Sequence, residues 1–170
     1  NMSCMFSGSN FIGDIRNWDV SKVTNMNFMF CDSKFDGDIS NWDVSNVVSM
    51  ISMFSGSQFW NNHLSNWNVS NVENMNYMFT NSYFNGDISK WNVSNVKSMH
   101  SMFSGSNFNN DISKWNVSKV NTMNFMFNKS EFNQDISKWD VSNVYDMICI
   151  FNECPFNGDI SKWRVKPSGY

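Results

Sequence analysis

Tryptophan recurs along this chain at an almost constant interval. Successive members of the series are 24 or 25 residues apart: Trp18, Trp42, Trp67, Trp91, Trp115, Trp139 and Trp163. The residues around each tryptophan repeat with it, as in the unit FNGDISKWNVSNVKSMHSMFSGSN from 84 to 107. Such a period is typical of proteins in which each repeat buries its apolar side against the next. Residues 1–170 are therefore predicted to form a single solenoid of about seven repeats.

Two hydrophobic periods alternate inside each unit. Trp91 and Val93 are two residues apart, which places both side chains on one face of a strand. From Val96 to Met102 the apolar residues are three apart, which is the stripe of a short helix. Ser94 lies between the two segments and is well placed to cap that helix. The fold predicted from these patterns is an α/β repeat solenoid, with a parallel sheet on one face and short helices on the other.

The side chains of the strand can be assigned to two sides. If Trp91 were exposed, Val93 would also be exposed, and Lys90 and Asn92 would turn into the core at a high desolvation cost. We therefore predict that the tryptophans pack in the core and do not form an open platform for sugars. The methionine stripe is likewise predicted to be core packing, because thioethers fill irregular apolar space well.

A longer period of two repeats is also visible. One position alternates between small and large side chains: Cys4, Phe28, Ser52, Tyr77, Ser101, Phe125 and Cys149. The turn that follows alternates between glycine and other residues, with Gly8, Gly56 and Gly105 in one class and Asp32, Asn81 and Lys129 in the other. Glycine readily supplies the positive φ that ends a helix. The array is inferred to have grown by duplication of a two-repeat unit.

The consensus F-N-x-D-I-S-x-W-x-V-S-x-V-x-x-M-x-x-M-F resembles the BspA-like, mycoplasma-lipoprotein type of repeat, a family of unknown function, over nearly the whole chain. That family is grouped with the leucine-rich repeats, and Ile88, Trp91 and Val93 match the L-x-x-L-x-L spacing. The resemblance implies a leucine-rich-repeat-like fold and brings no catalytic residues. It also implies an extracellular or cell-surface protein with a role in adhesion or partner recognition; the cytoplasm is the alternative location.

Charge and composition argue against several functional classes. The formal net charge is only −3 and no run of Lys or Arg is present, whereas nucleic-acid binding needs a concentrated basic surface. No stretch approaches the roughly 18 apolar residues of a membrane span. His63 and His100 lie far apart with no cysteine near them, so no nucleophile and base can be paired. We expect a non-enzymatic protein without cofactor, nucleic-acid partner or membrane insertion.

The residues beside the inward tryptophan and valine must face outward. Along the array their charge changes from acidic, through neutral amides, to basic. The candidate binding residues on this face are Asp19, Asp43, Asn68, Lys90, Asn92, Lys114, Asn116, Lys138 and Asp140. Repeat arrays use such extended faces for binding, so we predict a protein or glycan ligand here. The alternative is a solvated face on a purely structural spacer or stalk.

One repeat departs from the pattern. Between Phe59 and Leu64 one extra residue is inserted, Trp60 is added, and His63 takes the place of an aspartate. Insertions in repeat proteins form local bulges at one edge. Trp60 is therefore a candidate anchor for a ligand; the alternative is that its ring folds over its own bulge.

An aspartate precedes the isoleucine in most repeats: Asp14, Asp38, Asp87, Asp111, Asp135 and Asp159. Stacked carboxylates could hold calcium, but aspartates in turns commonly accept backbone N–H groups, and we expect no metal. Cys4 and Cys31 lie in adjacent repeats, where they either pair or remain free thiols. The chain begins within a repeat, which predicts a piece of a longer protein. Uncapped terminal repeats could also associate end to end.

Overall fold

The computed structural model describes residues 1–60 and 64–165. Within these ranges the chain forms no α-helix and no continuous strand. Pairing of the strand type is confined to one residue per repeat, in isolated parallel bridges along Asn25, Ser49, Asn74, Ser98, Thr122 and Asp146. The predicted α/β, leucine-rich-repeat-like solenoid, with a parallel sheet and short helices, was therefore wrong. The repeats do stack on one another, but they are built from turns.

The segment predicted to be a helix is a run of overlapping turns. The Met102 N–H donates to the Met99 carbonyl at 3.2 Å, three residues back. The N–H of Ser101, between them, donates instead to the Asn124 carbonyl in the next repeat at 2.9 Å. An α-helix needs every N–H to bond four residues back. Because alternate donors bond to the neighbouring repeat, no helix forms.

Each run of turns contains two residues in the left-handed region, such as Ser101 at φ 53° and Gly105 at φ 66°. The non-glycine residues with positive φ are Cys4, Phe28, Asp32, Ser52, Tyr77, Asn81, Ser101, Phe125, Lys129, Cys149 and Glu153. A left-handed residue other than glycine costs on the order of 1–2 kcal/mol. The hydrogen bonds between repeats offset this cost. Glycine was correctly predicted to have positive φ here, but it does not end a helix.

The segment predicted to be a strand, around Trp91 and Val93, is too short to form one. The Trp91 N–H closes a turn on the Ile88 carbonyl at 3.1 Å, and the Val96 N–H closes another on the Val93 carbonyl at 2.9 Å. Only Asn92 remains between the two turns, so no ladder of backbone bonds can develop. The side chains nevertheless alternate as predicted: Trp91 and Val93 are buried and Asn92 is exposed.

Side chains join the repeats where the predicted sheet is missing. The indole N–H of Trp91 donates to the Leu64 carbonyl of the preceding repeat at 2.8 Å. The same bond is made by Trp42, Trp67, Trp115, Trp139 and Trp163. The Asn95 amide donates to the Ser70 carbonyl at 2.8 Å in the same way. Each buried indole therefore has its one donor satisfied, as a core tryptophan requires.

The core is a set of parallel ladders of identical side chains. The ring of Phe103 lies between those of Phe79 at 5.7 Å and Phe127 at 5.8 Å, with interplanar angles of 4°. The tryptophans from Trp42 to Trp139 are at most 4% exposed. The methionines of the central repeats are fully buried. The prediction that tryptophan and methionine form the core is confirmed.

The alternation over two repeats has a steric explanation. A Cβ built on Gly105 would overlap Oδ1 of Asn81, and one built on Gly56 would overlap Oδ1 of Asp32. Each Asx side chain thus lies over a bare glycine in the next repeat. At the other alternating position, Ser101 is only 6% exposed.

Two aromatic rings flank the repeat of Ser101. The ring of His100, directly before the serine, has its centre 4.6 Å from the ring centre of Tyr77 in the preceding repeat and 6.1 Å from that of Phe125 in the following one. Both contacts are edge-on, at 75° and 79°. The rings at 77 and 125 therefore lie on either side of the His100 ring, next to the small, buried Ser101.

Candidate binding faces

All nine residues predicted to bind a ligand beside the tryptophan ladder are exposed: Asp19, Asp43, Asn68, Lys90, Asn92, Lys114, Asn116, Lys138 and Asp140. The tryptophans and valines next to them in sequence are buried, except for Trp18 in the first repeat, which is 37% exposed. Their outward orientation is therefore confirmed, although they border turns and not a sheet. Their binding role stays a prediction.

Six of these residues also shape the backbone. Oδ1 of Asn92 accepts the Ser94 N–H at 3.2 Å, so Ser94 caps no helix and instead closes an Asx turn. The equivalent acceptors are Asp19, Asp43, Asn68, Asn116 and Asp140. The bond uses only Oδ1, and the NH₂ group of Asn92 can donate to a ligand. At Asp140 the Ser142 hydroxyl and N–H lower the pKa of the carboxyl group.

Lys90, Lys114 and Lys138 occupy the same position in successive repeats and form a column. Each has an aspartate three residues earlier in the sequence. Hydrogen bonds from the Ser113 hydroxyl and N–H lower the pKa of Asp111, and the nearby Lys114 ammonium lowers it further. Lys90 and Lys138 act in the same way on Asp87 and Asp135. The lysine column is thus balanced by carboxylates and does not form a concentrated basic surface.

The aspartates before the isoleucines are turn acceptors, as expected. Oδ1 of Asp111 accepts the Ser113 N–H at 2.8 Å. The same bond from the residue two ahead is made at Asp14, Asp38, Asp87, Asp135 and Asp159. His63, which replaces this aspartate in one repeat, lies outside the described residues. Across residues 1–60 and 64–165, no three His, Cys, Asp or Glu side chains are grouped so as to hold a metal ion.

We expect this carboxylate ladder to make folding sensitive to acid. The pKa values of Asp14, Asp87, Asp111, Asp135 and Asp159 lie below the ordinary 3.8 in the folded chain. Their contribution to stability is therefore complete above that value and is lost as the pH falls through the lower folded values. Urea unfolding from about pH 5 to about pH 2 should show a declining free energy of unfolding.

The matched control for the acid effect is the triple variant Asp87→Asn, Asp111→Asn, Asp135→Asn. Asparagine keeps the oxygen that accepts the serine N–H but does not titrate. The decline with acid should therefore be shallower in the variant than in the native chain. Identical pH profiles would contradict a role for these three carboxylates.

Trp60 is exposed, which was one of the two alternatives left open by the sequence, and it lies against a residue that the sequence patterns did not single out. The residue is 61% exposed, and its indole stacks on the ring of Tyr83 with centroids 4.9 Å apart and an angle of 7°. Tyr83 is itself 48% exposed. The neighbouring repeats carry Gln58 and Asn107 at the position of Tyr83. An aromatic residue at a position that is polar in the neighbouring repeats is the sequence feature that could have identified Tyr83.

The family model described as "Mycoplasma protein of unknown function, DUF285" matches residues 1–107 and, in a second overlapping match, residues 81–168. The chain belongs to this family. Two overlapping matches are what an array of like repeats produces. No curated protein and no solved structure matches the chain. The mycoplasma-type resemblance is thereby confirmed at the level of DUF285.

The remaining reactive side chains described in this DUF285 chain are four thiols and His100. Cys4, Cys31, Cys149 and Cys154 are all free thiols. Burial is the main factor that raises the pKa of Cys31 to about 11, which keeps this thiol protonated at neutral pH. The His100 ring hydrogen-bonds to the Asn124 side chain at 2.5 Å. In the described part of the chain no helix is long and apolar enough to cross a membrane.

Proposed function

We propose that this DUF285 chain is a non-enzymatic recognition scaffold that binds a protein or glycan. The proposed contact surface is the lysine–asparagine face, defined as Lys90, Asn92, Lys114, Asn116 and Lys138. The observation that carries the proposal is its regular exposure: the same polar side chains stand outward in successive repeats, with buried tryptophan and valine between them. A ligand with repeating polar groups could contact several repeats at once.

The face is suited to recognition because the chain beneath it is firmly held. Trp91 and Trp115 are stacked at 6.4 Å with an angle of 3°. Each donates its indole N–H to the preceding repeat. A surface that is already ordered loses little conformational entropy when a ligand binds.

The chemistry of the face favours polar ligands. Lys114 supplies an ammonium donor, Asn116 an amide donor, and Asp111 a carboxylate acceptor within one repeat. Asp19 and Asp43 are exposed at the equivalent position in the first repeats, outside this face, and make that end of the array acidic. Complementary charge on a partner would then orient it along the array. BspA-like kinship and an extracellular or cell-surface location accord with this role and are part of the proposal.

The test is binding by the triple variant Lys90→Ser, Lys114→Ser, Lys138→Ser. Ligands are first captured by the native chain from cell-surface extracts and a glycan panel, and their dissociation constants are then measured. The variant should bind at least roughly tenfold more weakly, which corresponds to a loss of roughly 1.4 kcal/mol in binding free energy. The matched control is Lys97→Ser, Lys119→Ser, Lys129→Ser, which makes the same charge change at exposed lysines elsewhere.

The possible outcomes distinguish a recognition scaffold from a structural spacer or stalk. Loss of affinity in the first variant alone supports recognition by the lysine–asparagine face. Equal affinities for native chain and both variants would place the ligand elsewhere and contradict the proposed surface. Capture of no ligand by the native chain would favour the structural spacer or stalk.

A further inference from the structure

Trp60 and Tyr83 form an aromatic platform outside the core. Directly beneath them, Phe59 and Phe84 are fully buried and stack on each other at 6.4 Å. The platform rings therefore add a second, exposed layer that the packing of the core does not need. In the following repeats the position of Trp60 is taken by asparagines such as Asn85. Both aromatic residues thus replace polar ones at a single place on the array.

The platform is held in position before any ligand arrives. The backbone N–H of Trp60 donates to Oδ1 of Asp36 in the preceding repeat at 2.9 Å. Tyr83 covers one face of the indole, with the rings nearly parallel at 7°. Even with this stacking, 61% of Trp60 is exposed to solvent. An ordered, open aromatic face is a binding surface with little entropy left to lose.

The surroundings of the platform indicate the chemical class of the ligand. Asp36 and Asn85 occupy the position of Trp60 in the preceding and following repeats, and Gln58 occupies the position of Tyr83 in the preceding repeat. All three are exposed. An aromatic face surrounded by amides and a carboxylate matches a sugar ring, which presents C–H groups on one face and hydroxyl groups around its edge. Hot spots for protein partners are also rich in tryptophan and tyrosine, but the core of such an interface is depleted of charged residues, whereas Asp36 lies directly beside Trp60.

A second exposed apolar area on the chain shows the contrast. Tyr145 and Ile148 are 54% and 63% exposed and lie within one repeat. That repeat exposes an aromatic and an aliphatic residue together, whereas the exposed residues at 36, 58 and 85 around Trp60 and Tyr83 are all polar. From this difference we infer that the Trp60–Tyr83 platform is a carbohydrate-binding site for a neutral oligosaccharide.

This inference does not rest on the lysine–asparagine face. That face follows the tryptophan ladder, while the platform flanks the phenylalanine ladder of 59 and 84. The two sites therefore fail or succeed independently. The triple lysine variant described above should bind a neutral oligosaccharide as the native chain does.

The experiment is calorimetric titration of the native chain with neutral hexasaccharides of β-linked glucose, β-linked N-acetylglucosamine and α-linked mannose. At least one should bind saturably. Trp60→Ala and Tyr83→Ala should each weaken that binding roughly tenfold or more, because a stacked aromatic anchor is lost. Trp60→Phe should retain part of it. Phe28→Ala is the matched control, since it removes another exposed ring, 40% accessible, at a different position of the repeat.

Thermal unfolding of each variant checks that the exposed substitutions leave the fold intact. The inference is overturned if none of the three saccharides binds. It is also overturned if Trp60→Ala binds the sugar with native affinity, or if Phe28→Ala weakens binding as much as Trp60→Ala. Loss of a captured protein ligand in Trp60→Ala, without any saccharide binding, would identify the platform as a protein contact instead.

Discussion

Replacing Phe79 by alanine is expected to lower the free energy of unfolding by about 3–5 kcal/mol, the range measured for deleting a fully buried ring. Phe79 is fully buried in a central repeat. Its ring stacks on Phe54 and Phe103 in the adjacent repeats, each at 5.7 Å, and on Phe84 at 4.4 Å. The cavity would thus remove ring contacts on both sides of one repeat. Urea unfolding followed by tryptophan fluorescence measures the effect.

Phe28→Ala is the control for this prediction. Phe28 is the same residue type in a run of turns, but it is 40% exposed. Its removal creates no closed cavity, and we expect a loss of about 1 kcal/mol or less. Equal losses for the two variants would contradict the assignment of the stacked phenylalanine ladder as the main core. A small loss for Phe79→Ala would do the same.

Replacing Gly105 by alanine is expected to cost about 2 kcal/mol, of which about 1–2 kcal/mol comes from placing a side chain in the left-handed region. Gly105 has φ 66°. The rest comes from Asn81, whose Oδ1 occupies the space that the new Cβ would take. Asn81 must then leave its preferred rotamer, at a cost on the order of 0.5–1.5 kcal/mol.

A double-mutant cycle separates the two contributions to the Gly105 prediction. In an Asn81→Gly background the side chain over position 105 is absent, so Gly105→Ala should cost only the backbone term. The coupling energy between 81 and 105 should therefore be about 0.5–1.5 kcal/mol, the cost assigned to moving Asn81. Unfolding free energies of the native chain, both single variants and the double variant are required. Additive effects would show that the Asn81 side chain moves aside freely.

The sequence was a reliable guide to which side chains are inside. Trp91, Val93 and Met99 are buried as predicted, because an apolar side chain gains free energy by leaving water whatever path the backbone takes. The acceptor role of Asp111 was equally predictable, since it depends on a partner only two residues away. The exposure of Trp60 was not settled by the sequence, which marked it as an extra aromatic beside an insertion but left open whether its ring folds over the bulge.

The path of the backbone was decided by the tertiary structure. The apolar spacing from Val96 to Met102 suits both a helical stripe and a run of turns. The helix and the run of turns differ in the acceptors of alternate backbone N–H groups. The Ser101 N–H donates to a carbonyl in the next repeat and not to one four residues back. Positive φ at Tyr77 and Phe125 follows from the same long-range bonds, because these residue types do not favour it alone.

The Trp60–Tyr83 pair also depended on the tertiary structure. The two residues belong to different repeats and different columns, and only the stacking of the repeats brings the rings together. Burial and short-range turns were therefore determined by the sequence itself, through side-chain polarity and neighbours along the chain. Hydrogen bonds and ring contacts between repeats were decided by stacking, because their partners lie about one repeat apart and no local pattern specifies them.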